Sequence, residues 1–209
     1  MQVDEFCALY PRLYHMAEPD ALASILQHGL LSTSSLLDLF QVNDELRTRL
    51  ECRVRRQAEA ITHPQHGSAV VRDQKPIVNE ARLEKCVKGA TPTQWLRLLN
   101  SKVFFWVNRA RLDRLRSARA YRQRHHLMLT LDTRKVVDDY RSRITLCAMN
   151  SGNCLPYPHD RSPESFSSIE DFDYTAWRRK RGRREIVVEC AIDSGIRHVA
   201  KYLLKHEII

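Results

Sequence analysis

The sequence predicts an α+β fold, in which strands and helices do not alternate regularly. Residues 102–107 (KVFFWV) hold five apolar residues in six, with β-branched and aromatic side chains, and are the clearest candidate strand. Residues 126–133 and 143–149 are two further candidates, and REIVVECAID (184–193) predicts a strong strand late in the chain. The predicted order is strand, helices, strand, helix, strand, strand, long loop, strand, which fits α+β better than a doubly wound parallel sheet.

The first of the candidate elements is a short strand followed by a helix. In LYHMAEPDALASILQHGLLST (13–33), residues 13–16 predict the strand and about 19–28 predict the helix. Pro19 suits the first helical turn, and Gly29 is a natural residue after the last one. His15 therefore lies at a strand-to-helix junction, where a polar side chain is well placed to meet a ligand.

The segment before the central strand is expected to be mostly helical. Residues 34–61 have apolar positions typical of a helix, and 79–100 predict two short helices. Residues 61–80 are rich in turn residues and predict an ordered loop. We expect one domain over 1–209, with a helical and loop insertion at about 41–100.

The second half of the chain adds one helix and one long loop to the predicted strands. Residues 108–123 predict an arginine-rich helix, and 195–209 predict an amphipathic helix or turn. Residues 153–183 have little apolar periodicity and several prolines, so they predict a long surface loop with little regular structure. Long loops of this kind are often functional.

The charge is strongly positive, with 34 Lys and Arg against 25 Asp and Glu, a net charge of +9. Arginines cluster in 47–56, 108–126 and 177–184. Arginine binds phosphate through its charge and through paired hydrogen bonds, so the clusters favour an anionic partner such as a nucleic acid or a phosphorylated cofactor. A solvated arginine-rich surface is the alternative.

Several classes of protein are disfavoured by what the sequence lacks. No apolar run approaches the roughly 20 residues that cross a bilayer, so no membrane association is expected. The first residues do not resemble a secretory signal, and the six cysteines are scattered without CxxC spacing. We therefore expect no metal site and reduced thiols in a cytoplasmic protein.

Two groups of candidate functional residues lie near the first helix. Tyr14 and His15 end the first strand, although a single histidine can equally be a structural hydrogen-bonding residue. Ser32 and Thr33 begin a polar run after the helix, and capping of the next helix is the alternative role for such residues.

Two more candidate groups lie on the later strands. Phe105 and Trp106 belong to an aromatic run that packs in the core or offers a platform to a ligand. Glu185 begins an apolar strand directly after an arginine cluster, and Glu189 faces the same side four residues later. A carboxylate there can stabilise a developing cation, or it can pair with neighbouring arginines.

The order of these groups, a histidine on the first strand, an aromatic residue on a middle strand and a glutamate on a late strand, resembles the ADP-ribosyltransferase fold. LYHMAEPDALASILQHGLLSTSSL resembles the opening of the DarT-type enzymes and of related uncharacterised bacterial and phage families. NSKVFFWVNRARLDRL resembles their middle strand, and RREIVVECAIDSGIRHV resembles the closing strand. The resemblance implies an ADP-ribosyltransferase-like split sheet, mixed or antiparallel, with flanking helices.

The resemblance also implies NAD as the substrate and gives roles to particular residues. Glu185 and His15 would be the catalytic residues, with Glu185 stabilising the ribose cation as nicotinamide leaves and His15 orienting NAD. The remaining implied NAD-binding residues are Tyr14, Gly29, Leu30, Ser32, Thr33 and Phe105, with Trp106 as the alternative aromatic. The arginine at the pyrophosphate would be one of Arg47, Arg49, Arg53 and Arg55.

These implications predict an NAD-dependent, toxin-like ADP-ribosyltransferase that acts on a nucleic acid or a protein and has a possible antitoxin. They require His15, Phe105 and Glu185 to meet in one cleft. One alternative is a non-catalytic module that binds nucleic acid through the basic segments. Another is a phage or mobile-element accessory protein that binds a protein partner through an exposed apolar patch at Phe166, Phe172, Tyr174 and Trp177.

Overall fold

The computed structural model describes residues 1–154, 159–182 and 185–209. Within these ranges the α-helices are α1 (Val3–Leu9), α2 (Leu22–His28), α3 (Thr33–Leu39), α4 (Asp44–Cys52), α5 (Glu80–Cys86), α6 (Pro92–Asn100), α7 (Arg109–Ser117), α8 (Thr133–Tyr140) and α9 (Tyr174–Arg181). The strands are β1 (Arg12–Ala17), β2 (Leu30–Leu31), β3 (Glu59–His63), β4 (Gly67–Val71), β5 (Lys102–Trp106), β6 (Leu127–Asp132), β7 (Ile144–Cys147), β8 (Phe166–Ser167), β9 (Glu189–Asp193), β10 (Gly195–Ile196) and β11 (Leu203–Ile208).

The central feature is a sheet that has seven strands within the described residues, in the order β11-β6-β1-β5-β9-β7-β8. Every neighbouring pair in it is antiparallel. Two small ribbons, β2 with β10 and β3 with β4, lie apart from this sheet. The α+β class is therefore confirmed, with a large antiparallel sheet.

The sheet is weakest between β1 and β5. These strands share a single register pair, Tyr14 with Trp106, whereas β1 pairs with β6 over six residues and β5 pairs with β9 over five. The two halves of the sheet therefore meet at one point. Next to this register pair, the side chain of His15 connects β1 to β5, because its Nδ1 lies 2.8 Å from the carbonyl oxygen of Phe104.

Helices cover both faces of the sheet. On one face, Leu13 and Phe105 belong to the main core together with Phe6 of α1 and Val136 of α8. On the other face, Met128 packs against α7 and Phe104 packs against α6, whose buried Trp95 lies beside it. Alternate residues of β5 therefore point to two different cores, as expected for a strand covered on both sides.

The insertion contains a β-hairpin that the sequence did not predict. β3 and β4 pair over five residues within the segment expected to be a helix end and a loop. The expected helix over 34–61 is two helices, and the second begins where Asn43 accepts a hydrogen bond from Leu46 N–H. The apolar residues of this region pack as a small separate cluster around Leu37, Leu50 and Ile61.

Two other expectations about regular structure are wrong. The C-terminal segment is strand β11, an edge strand paired with β6, instead of a helix or turn. Lys205 is exposed on this strand, and a lysine on an edge strand hinders pairing with another chain. The long loop contains β8 and α9, and α9 begins where Asp173 accepts a hydrogen bond from Ala176 N–H.

No helix in the described ranges is both long enough and apolar enough to cross a bilayer.

Candidate functional site

A cleft of about 650 Å³ lies where β1, β5 and β9 run side by side. The lining also comes from α2, from the β3–β4 hairpin and from the loop at 150–152. The cleft thus collects side chains that are far apart in the sequence, including His15 from β1, Phe105 from β5 and Glu189 from β9.

His15 is held in one neutral tautomer by a hydrogen bond that it donates to the backbone. A carbonyl oxygen can only accept, so the 2.8 Å contact with Phe104 requires a proton on Nδ1 of His15. Burial lowers the pKa of His15 to about 4, and the ring is therefore neutral at physiological pH. This tautomer leaves Nε2 as an acceptor, and a ribose hydroxyl is a suitable donor to it.

Glu189 is a buried carboxyl group at the start of β9, with 4% of the residue exposed. Its Oε2 accepts a hydrogen bond of 3.0 Å from the backbone N–H of Ser151. Burial raises the pKa of Glu189 to about 7, although this bond and the charges of Arg111 and Arg161 favour the ionised form. A carboxyl group with a pKa shifted this far by burial in a cleft is a candidate catalytic group.

A buried arginine holds the loop that contacts Glu189. Arg161 is 3% exposed, and its guanidinium donates to the carbonyl oxygens of Ser151 at 2.7 Å and Asn153 at 2.9 Å. The same residue donates to the carbonyl oxygen of His159 at 3.1 Å. Neither Ser151 nor Arg161 was a candidate from the sequence, because Arg161 lies in the segment without periodicity, Ser151 lies just before it, and their roles arise only from the fold.

The raised pKa of Glu189 predicts a stability change when glutamine replaces it. Between pH 4.5 and about 7 the folded protein keeps a proton that the unfolded chain has released, so the free energy of unfolding falls as pH rises. We expect Glu189→Gln to be more stable than the wild type by about 3 kcal/mol at pH 8, with no difference near pH 4. Urea unfolding at both pH values measures this, and a difference that is the same at both would contradict it.

Glu185 does not reach the cleft, and the expectation that it would do so is wrong. Strand β9 begins at Glu189 instead of at 184, since pairing with β5 and β7 starts only there. Residue 184 lies outside the described residues. Glu185 forms an ion pair with Arg111 of α7, which is the alternative role that its arginine-rich surroundings suggested.

Most of the other predicted NAD-binding residues do line the cleft. These are Gly29, Leu30, Ser32, Thr33 and Phe105, together with Trp106. Ser32 also caps α3, because its Oγ accepts a hydrogen bond of 3.1 Å from Ser35 N–H. Tyr14 is the exception, since it packs on the cluster of Leu112 and Met128 and does not line the cleft.

Among the four arginines considered for a pyrophosphate, only Arg55 lines the cleft. Arg47 and Arg49 are paired with carboxylates of the insertion, Arg47 with Asp38 and Arg49 with Glu59. Arg53 is not part of the lining.

The cleft also has an arginine that the sequence did not single out. Arg72, at the end of the hairpin, lies 3.0 Å from Glu18, and Arg124 contacts both Glu18 and Asp73. Lys75 also lies 3.5 Å from Asp73, so three cations share these two carboxylates. Arg55 forms no ion pair in the described part of the chain and donates to Asn100 Oδ1 at 3.0 Å.

Arg55 is therefore a buried cation of the lining without a directly paired carboxylate, although Asp20 and Glu189 also line the cleft. Burial lowers its pKa to about 10, which leaves the guanidinium protonated at neutral pH. A fixed cation of this kind, without a carboxylate partner, favours an anionic ligand.

The apolar patch expected at the long loop is absent from the described surface. Phe172 is 3% exposed in the main core, and Tyr174 and Trp177 pack against that core. Phe166 stacks on Trp95 with ring centroids 5.8 Å apart. The aromatic residues of the loop thus fix it to the sheet, so they do not offer a docking surface for another protein.

In the described ranges, no group of three or more His, Cys, Asp or Glu residues is arranged to hold a metal ion. The profile of a family of unknown function, DUF7002, matches residues 11–203. No curated protein and no solved structure matches the chain.

Proposed function

The chain belongs to the DUF7002 family of unknown function, and we propose from its cleft that it is an NAD-dependent ADP-ribosyltransferase. The proposal depends on one observation above all. Buried Glu189 and neutral His15 line one cleft from the two strands on either side of β5. Adjacent strands are about 4.8 Å apart, so β1 and β9 are separated by at least roughly 10 Å, and the nicotinamide riboside part of NAD is long enough to contact side chains of both.

The chemistry of NAD cleavage fits a fixed carboxylate at this position. When the bond between ribose C1′ and the nicotinamide nitrogen breaks, the electron pair leaves with nicotinamide and positive charge develops on the ribose. The ionised carboxylate of Glu189 stabilises that charge more strongly in the transition state than in bound NAD. An oxygen or nitrogen of the acceptor then bonds to C1′ and loses its proton.

Other residues of the cleft orient the substrate. Nε2 of His15 accepts a hydrogen bond from a ribose hydroxyl. The positive charge of Arg55 attracts the pyrophosphate, and Trp106 offers aromatic surface to the nicotinamide ring.

The surface next to Glu189 supports a nucleic acid as the acceptor. Helices α7 and α9 meet at Glu185, which pairs with Arg111 and whose carbonyl oxygen accepts a hydrogen bond from Arg181 at 3.2 Å. Exposed cations of these helices include Arg114, Arg178, Arg179 and Lys180. Because Arg111 also acts on the pKa of Glu189, this basic surface lies close to the catalytic carboxyl. A phosphate backbone is attracted to such a surface.

The same basic surface favours a second candidate, a module that binds nucleic acid without catalysis. This candidate predicts salt-sensitive binding that depends neither on NAD nor on Glu189.

The pH dependence of NAD cleavage tests the proposed function. Glu189 must be ionised to stabilise the ribose cation, so kcat/KM for NAD is expected to rise with pH and to level off above about 7. His15 contributes no change near neutral pH, because its pKa of about 4 keeps it neutral throughout. The measurement is nicotinamide release from pH 5.5 to 9 (roughly the range in which a buried carboxyl titrates), with single-stranded DNA or RNA present. A profile that is flat or that falls with pH would contradict the role of Glu189.

A further inference from the structure

A second cavity, of about 560 Å³, borders the ribbon formed by β2 and β10. It shares only His28 and Leu31 with the NAD cleft in the described part of the protein. The rest of its lining comes from the end of α2, from α3 and from the segments around Arg143 and Arg197. No step of the proposed reaction uses this cavity.

Tyr140 contacts both arginines of the cavity, Arg143 through its side chain and Arg197 through its backbone. The guanidinium of Arg143 lies 4.6 Å from the ring centre of Tyr140 and donates to the carbonyl oxygen of Gly195 at 3.0 Å. The Tyr140 hydroxyl donates to the carbonyl oxygen of Arg197 and accepts from the N–H of Arg197, both at 3.1 Å. Arg143 is therefore pre-oriented, and the backbone from which the Arg197 side chain extends is fixed.

The charge of the cavity is not balanced. Neither Arg143 nor Arg197 forms an ion pair within the described residues. The one carboxylate in the described lining, Asp38, shares Arg47 with Glu51, so it offsets at most one of the two arginine charges. Side chains with hydrogen-bond donors complete the lining, namely Gln27, Ser35 and Ser194.

We propose that this cavity is a phosphate-binding site, separate from the NAD cleft, for a phosphomonoester or phosphodiester group. Arginine guanidinium groups bind phosphate oxygens in pairs, and two unpaired ones beside hydroxyl and amide donors match a phosphate in charge and in hydrogen bonding. The group comes either from a nucleic-acid backbone or from a small phosphorylated molecule. The assignment does not depend on NAD cleavage.

Titration of the protein with inorganic phosphate tests the site. The NMR signals of the Nε–H groups of Arg143 and Arg197 are expected to shift with phosphate and to reach saturation. In Arg197→Gln, and more strongly in Arg143→Gln/Arg197→Gln, the dissociation constant is expected to rise about tenfold or more. Arg141→Gln is the matched control, because this neighbouring arginine is paired with Glu170 and is not part of the lining.

Further binding measurements distinguish this site from the proposed activity and identify the source of the phosphate group. Glu189→Gln is expected to keep phosphate binding, which makes failure of this site distinguishable from failure of the proposed activity. A single-stranded oligonucleotide that displaces phosphate more strongly than a mononucleotide, in a manner dependent on Arg197, assigns a nucleic-acid backbone. Equal displacement by the oligonucleotide and the mononucleotide assigns a small phosphorylated molecule.

Shifts that do not saturate with phosphate, or that persist in both arginine variants, would overturn the proposal. Arg197→Gln alone remains informative if the double variant fails to fold, because no hydrogen bond of the Arg197 side chain is present in the described structure.

Discussion

Glu189→Gln is expected to lower the rate of nicotinamide release from NAD by about 100- to 1,000-fold, the range for losing one preorganised electrostatic group. Glutamine has almost the same shape and can still accept the hydrogen bond from Ser151 N–H, but it has no negative charge to stabilise the ribose cation. The loss should therefore lie in kcat more than in KM. Steady-state assays of wild type and variant, with nucleic acid present, measure this.

Glu185→Gln provides a matched control for this prediction. It makes the same chemical change four residues earlier, at a half-buried carboxylate that pairs with Arg111 outside the cleft. We expect the rate to stay within about threefold of the wild type, since partly exposed ion pairs contribute little. The opposite pattern, with activity lost in Glu185→Gln and kept in Glu189→Gln, would contradict the assignment of the carboxylate.

Gly195→Ala is expected to destabilise the protein by about 3 kcal/mol or more, through left-handed strain and a steric clash. The φ of Gly195 is +98°, and a Cβ there would lie 2.1 Å from the carbonyl oxygen of Leu30 on the facing strand. The atoms that the added Cβ would meet belong to the backbone of Leu30 and Leu31, which cannot rotate away. The ribbon of β2 and β10 can therefore accept a methyl group only if its two strands separate. Gly29, Leu30 and Leu31 line the cleft proposed to bind NAD, so NAD cleavage should fall as well. Urea unfolding measures the loss of stability.

Gly89→Ala separates backbone strain from the clash. Gly89 also has a positive φ, +70°, but nothing lies within 4 Å of the position of its added Cβ. We expect a loss of about 1 kcal/mol, the usual penalty for a non-glycine residue in this conformation. Equal losses in the two variants would show that close packing of the ribbon does not matter.

The sequence was most informative about the central sheet. Strands β5, β6 and β7 were predicted because their apolar runs are buried on both faces. The hairpin of β3 and β4 and the edge strand β11 were missed, because they carry polar residues and their pairing depends on partners elsewhere in the chain. Periodicity alone does not contain that information.

The candidate site could be predicted only in part, because it too depends on contacts between distant parts of the chain. His15 was singled out from its place near a strand-to-helix junction, and it lines the cleft together with residues after α2. The choice between Glu185 and Glu189 depended on where the pairing of β9 begins. Because residues 186–188 are apolar, they predicted that the strand began before Glu189. Arg72 and the loop contacts of Arg161 had no signal in the sequence, because they depend on tertiary contacts.

The most direct test of the account is the fate of NAD incubated with the wild-type protein. NAD labelled in its adenylate phosphate is mixed with the protein and, in separate reactions, with single-stranded DNA, RNA or a cell lysate. We expect nicotinamide to be released and the labelled ADP-ribose to become bound to a nucleic acid. Intact NAD in every reaction, or release that is unchanged in Glu189→Gln, would contradict the proposal that this cleft cleaves NAD.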